Sequence, residues 1–175
     1  MTSWNWPRNL GYTGKEIDAA WEKVDEDWWQ GLRPYPSAPD ALELLDALVA
    51  RNRDLQVYFV TGRHPWTQYA STLWLERHGY FAPSVITTSK KAQLAQVFNL
   101  EGKVAVMEDK PSLLSAYWLG NSCEHIYRIE QPYNEQNTPG NLGFRTVLGA
   151  VQDLAIKWEL ETETPHGARE AAENV

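Results

Sequence analysis

The sequence is poor in the soft ligands that staple small domains: one cysteine, Cys123, and four histidines in 175 residues. A lone thiol cannot close an internal disulfide, and so few imidazoles cannot build a structural zinc cluster, which excludes the zinc-ribbon and dithiol redox classes. No stretch of eighteen consecutive apolar residues occurs, and the first thirty residues lack the basic start and apolar core of a signal peptide. A soluble, cytoplasmic product with no membrane partner is expected.

Positive charge is also scarce, with 16 Lys and Arg against 23 Asp and Glu for a net charge of −7. That balance argues against nucleic acid held by bulk charge, but not against a small phosphorylated ligand, which needs only a local cluster of donors. The charge is uneven. Residues 159–175 hold five acids and one base, a net −4, which leaves the preceding residues at −3. The polar segment 159–175, with Pro165 and Gly167, reads as a disordered tail. Hydrophobic residues make up 43% of the chain, enough for one core over residues 1–158.

Tryptophan is abundant: nine, against eight Tyr and four Phe, with Trp4, Trp6, Trp21, Trp28 and Trp29 in the first thirty residues. Wide amphipathic rings at helical spacing anchor an irregular N-terminal segment onto a body. The same rings also suit a binding surface for bases or a protein partner.

Periodicity gives the organisation. Ile17, Ala20, Trp21, Val24 and Trp28 recur at helical steps, predicting one helix from Gly14 to Gln30 that Gly31 stops. Leu32 to Pro36 is an extended connector, and a second helix runs from Ala38 to about Arg53. Strands are then expected over 55–60, 84–88, 103–107 and 125–129, alternating with helices over 66–78, 92–98, 111–119 and 142–158. Strands separated by helices pair in parallel through right-handed crossovers, so the fold class is α/β, a three-layer sandwich around a parallel sheet.

Ligands of such sheets collect beyond the carboxyl ends of the strands. Those ends carry Thr61-Gly62-Arg63, Ser89-Lys90-Lys91, Glu108-Asp109-Lys110 and Glu130-Gln131. Thr61 offers a hydroxyl, Gly62 close backbone approach, and Arg63, Lys90 and Lys91 positive charge, a set suited to phosphate. Glu108 and Asp109 are adjacent carboxylates after an apolar strand, a pair of hard ligands suited to Mg²⁺.

In this order the motifs resemble those of the haloacid dehalogenase superfamily of phosphohydrolases, and within it the cytosolic 5'(3')-deoxyribonucleotidases, over Tyr12 to Trp158. Val57 to Arg63 resembles the second motif, whose hydroxyl residue holds the transferring phosphate. Lys90 or Lys91 resembles the third, and Val104 to Pro111 the fourth, an acidic pair that holds Mg²⁺. Gln131-Pro132-Tyr133-Asn134, with Arg145, resembles the segment after the last strand. The helix over Lys15 to Gln30, within a segment of about 12–36, resembles the small cap. The resemblance implies a phosphohydrolase fold, Mg²⁺ and a nucleoside monophosphate as ligand.

One departure matters. The family's first motif is an apolar strand ending in Asp-x-Asp, the source of the nucleophile, and the chain begins Met-Thr-Ser-Trp-Asn-Trp instead. Its one Asp-x-Asp, Asp25-Glu26-Asp27, lies in a helical pattern, where positions two apart point roughly 200° from each other. The family's missing strand would lie between those ending at Val60 and Met107. Thr2 to Trp6 as a substitute strand, a segment upstream of Met1, a strand donated by another chain and direct pairing across the gap are the alternatives, the first being favoured. The expectation is a nucleotidase-like scaffold that recognises phosphate and Mg²⁺ but turns over weakly or not at all. Its rivals are an active 5'-nucleotidase and a non-enzymatic protein that docks a partner through its Trp-rich N-terminal segment.

Overall fold

The computed structural model describes residues 11–21, 23–63, 65–131, 134 and 142–160. Thr2 to Trp6 and most of the expected tail lie outside the described residues.

Helix formation begins at a capping box. The Thr13 N–H and hydroxyl both donate to Glu16 Oε2 at 2.8 Å, and the Glu16 N–H returns a bond to the Thr13 hydroxyl. This opens α1, Gly14–Trp21, but the helix does not run on to Gln30 as expected. The Asp25 side chain accepts the N–H of Trp28 at 2.9 Å and starts a separate short helix, α2, Glu26–Gln30. A short acidic side chain competes for backbone donors in this way, and the result is a fresh N-terminus in place of a continuous helix. Asp25 therefore sits outside the helix, as its cap, rather than inside a helical pattern with Asp27.

The remaining elements alternate as expected: α3, Ala38–Arg51; β1, Tyr58–Thr61; α4, Thr67–Arg77; β2, Ser84–Thr87; α5, Lys91–Asn99; β3, Ala105–Glu108; α6, Pro111–Leu119; β4, His125–Ile129. Gly79, at φ +101°, takes the left-handed conformation just past α4 that ends a helix cheaply only at glycine. One expectation is corrected at the end. Leu142–Phe144 forms a short strand, β5, and the closing helix α7 spans Val147–Lys157, its start set by the Thr146 hydroxyl accepting the Gly149 N–H at 3.1 Å.

Every ladder among the described residues is parallel. β1 pairs with β2, while β4 lies between β3 and β5. β1 and β3 share no ladder and do not run side by side, so direct pairing across the gap is not what the described residues show.

Helices cover both faces. On one, Leu42 of α3 packs with Leu75, Val85 and Phe59, while Leu48 of the same helix packs with Val151, Ala155 and Met107. On the other, Ala95 of α5 and Leu114 of α6 pack with Ile126 and Val106. Fully buried leucines such as Leu48 and Leu114 each contribute about 2 kcal/mol of transfer free energy. The chain is thus α/β, with parallel sheets between helices. No helix among the described residues is long and apolar enough to cross a membrane. Two tryptophans act as anchors: Trp29 is buried, and the Trp74 indole N–H donates to the Leu32 carbonyl at 2.6 Å, fixing the connector.

Gly143 of β5 marks a tight point. A Cβ there would meet Arg128 Nη2 and Glu130 Oε1 at 2.7 Å each, and Arg128 is itself buried. Gly143→Ala should destabilise the fold by about 1–3 kcal/mol in urea unfolding. Gly102→Ala, where an added Cβ meets nothing within 4 Å, should be near neutral or slightly stabilising.

Candidate functional site

The turns after β1, β2 and β3 lie against one another, joined by a short chain of hydrogen bonds. The Thr88 N–H donates to the Thr61 carbonyl at 2.8 Å, and the Lys90 N–H donates to the Thr88 hydroxyl at 3.0 Å. Lys91, the first residue of α5, then reaches Glu108 at the end of β3, Nζ to Oε2 at 2.9 Å. That contact brings the carboxyl ends of both sheets to one edge.

The sequence leaves open whether Lys90 or Lys91 turns inward. Lys91 does, while Lys90 stands exposed at the N-cap position of α5 without a side-chain capping bond. Glu108 is buried and fully engaged: Oε2 faces Lys91, and Oε1 accepts the N–H groups of Asp109 and Lys110 at 3.2 Å each. Burial alone would raise its pKa, but the Lys91 ammonium and the donors around the carboxylate outweigh burial and hold the pKa below the ordinary glutamate value.

The turn after β1 is less committed. The Thr61 hydroxyl accepts the Arg63 N–H at 3.3 Å. A Cβ on Gly62 would meet only the Thr88 carbonyl, at an ordinary 3.8 Å, so packing within the chain does not demand glycine there. The expected helix start does not follow this turn at once, because α4 begins at Thr67. Arg63, though exposed as a residue, lays its guanidinium 3.9 Å over the Trp29 ring, and desolvation there lowers its pKa. The expected phosphate ligand is thereby tied to α2.

Asn134, in the segment quoted after the last strand, and Arg128, which the sequence does not single out, also hold this edge together. Asn134, only 2% exposed, accepts the Gln131 N–H at 2.8 Å through Oδ1 and donates to the Asp109 and Ile129 carbonyls at 2.7 and 2.8 Å. It locks the loop after β3 to the end of β4. Arg128 stands beside Glu108 in register, and its guanidinium lies 3.4 Å from Glu130 Oε1 in the space Gly143 leaves. Arg128 occupies an alternate position in a strand that reads as half-exposed, so only tertiary burial distinguishes it from a solvated arginine.

Mg²⁺ was expected at Glu108 and Asp109. Among the described residues no group of three or more His, Cys, Asp or Glu is placed to hold a metal ion. Any Mg²⁺ here would have to draw most of its shell from phosphate oxygens and water, because Glu108 is already neutralised by Lys91. No family model matches the chain, nor does any curated protein or solved structure.

The Glu108 pKa sets a pH dependence. Because its folded value lies below its unfolded value, the carboxylate stabilises the fold above the ordinary glutamate range and that contribution disappears as pH falls through the folded value. The stability gap between the wild-type chain and Glu108→Gln should therefore be widest near neutrality and narrow on acidification. Urea titrations at a series of pH values would show this, and a pH-independent gap would contradict it.

Proposed function

We propose that the chain is a haloacid-dehalogenase-like scaffold of the nucleotidase type, which binds a phosphorylated ligand of nucleoside monophosphate class at the carboxyl edge of its strands. The observation that supports this best is the meeting of three turns there. A hydroxyl and an unhindered glycine follow β1, a lysine follows β2, and a carboxylate pair follows β3. Thr61 and the backbone at Gly62 receive the phosphate, and Lys91 balances charge. Glu108 and Asp109 hold Mg²⁺ jointly with phosphate oxygens rather than alone.

Turnover is weak or absent in this reading. Asp25, the first acid of the sequence's Asp-x-Asp, caps α2 through its side chain, so in this reading it does not serve as the nucleophile of a covalent route.

Calorimetric titration with a deoxynucleoside monophosphate tests the proposal. Binding should be detectable with Mg²⁺ and weaker without it, and Mg²⁺ alone should bind poorly. Gly62→Ala should leave the fold intact but weaken ligand binding by about tenfold, roughly 1.4 kcal/mol. No binding with or without Mg²⁺ would overturn the reading. Hydrolysis at ordinary enzyme rates would overturn the inactive-scaffold part and favour the active nucleotidase.

A further inference from the structure

Helices α5 and α6 lie side by side over one face of the sheets. Alone among the described helices, α6 contains no charged residue. α5 contains one, Lys91, which is committed to Glu108. The exposed sides of the helices on the other face differ: α3 presents Glu43, α4 presents Glu76 and Arg77, and α7 presents Lys157. A helix that is apolar all round is one that is covered all round. In α6, Leu114 and Tyr117 turn into the core, yet Trp118 and Leu119 remain exposed.

The uncharged surface is apolar where the two helices end. Val97 is 53% exposed, Leu100 89%, Trp118 49% and Leu119 83%. These four are neighbours. Val97 and Leu100 share one side of α5 with the exposed Gln93 and Gln96, at steps of three and four residues. A Cβ on Gly120 would lie 2.8 Å from Gln96 Nε2, so the end of α6 stands against that same side.

Size and charge say what covers this patch. An apolar side chain exposed singly needs no partner, and Ile156, 78% exposed beside Lys157 on α7, is of that kind. The four side chains together present roughly 500 Å² in one place, the upper range for the largest apolar patch of a monomer. An interface of ordinary size takes about 800 Å² from each partner, and in homodimers about 65% of it is apolar, which is the same area. The uncharged Gln93, Gln96, Asn99 and Asn121 supply a polar rim.

Copies that each carry −7 repel one another, and they approach with least repulsion through a face where neither bears charge. A two-fold contact also sets a surface against itself, so any charge on it would meet its own sign. This face has none to meet. It equally lacks the acids that would steer a basic partner to it. We propose that the α5–α6 face is a two-fold interface between copies of this chain, centred on Val97, Leu100, Trp118 and Leu119. Both helices begin at the carboxyl edge of the strands and end at the opposite edge, so the dimer leaves the candidate ligand site open.

Sedimentation of the full chain over about 1–100 μM tests this, and a reversible dimer is expected. Leu119→Glu places a carboxylate at two symmetry-related positions and should raise the dissociation constant about a hundredfold, tenfold for each copy. Leu100→Glu should act alike, and both variants replace exposed side chains, so their urea midpoints should stay near that of the wild-type chain. Ile156→Glu, on the helix that packs with α3 on the other face, should leave the dissociation constant within about twofold. The proposal is overturned by a monomer at every concentration, which would mean that other residues of the chain or a different partner cover the face. A dimer that survives both Leu→Glu variants, or one that Ile156→Glu weakens equally, would overturn it as well.

Discussion

A lysine and a glutamate 2.9 Å apart, both largely out of solvent, join the two halves of this protein at the edge where ligands of such sheets bind. Removing charges from water is costly, and a buried pair is tolerated only when its geometry is good and its remaining lone pairs find donors. Glu108 meets that condition by accepting the backbone N–H groups of Asp109 and Lys110 while its other oxygen faces Lys91. One carboxylate therefore positions the end of β3, the start of α6 and the start of α5. Asn134 extends the same lock to the end of β4 through the Asp109 carbonyl.

The two sheets also share α3 on one face and α5 on the other. An ion pair at one end, with Leu45 on one face and the Phe98–Tyr58 stack on the other, ties the two sheets together.

Much of this was legible in the sequence because the signals were local. Pro111 fixes the start of α6, and the β-rich run His125 to Ile129 fits its strand residue for residue. The break at Asp25 was missed because the apolar period continues through it, while the cap that causes it depends on one side chain bonding Trp28. The strand Leu142–Phe144 was missed because three residues with a central glycine carry little β preference of their own, and parallel pairing with β4 supplies the rest. The choice between Lys90 and Lys91 rests on where α5 begins, and the Arg63–Trp29 contact joins residues far apart in the chain. Neither leaves a trace in spacing.

Lys91 and Glu108 act as one unit holding the two sheets at their carboxyl edge. A double-mutant cycle built from Lys91→Met, Glu108→Gln and the double variant, read by urea unfolding at neutral pH, measures that coupling directly. A coupling of about 2 kcal/mol is expected, with Lys91→Met alone more damaging than the double variant because it strands a buried carboxylate. Single effects that simply add, within about 0.5 kcal/mol, would contradict it.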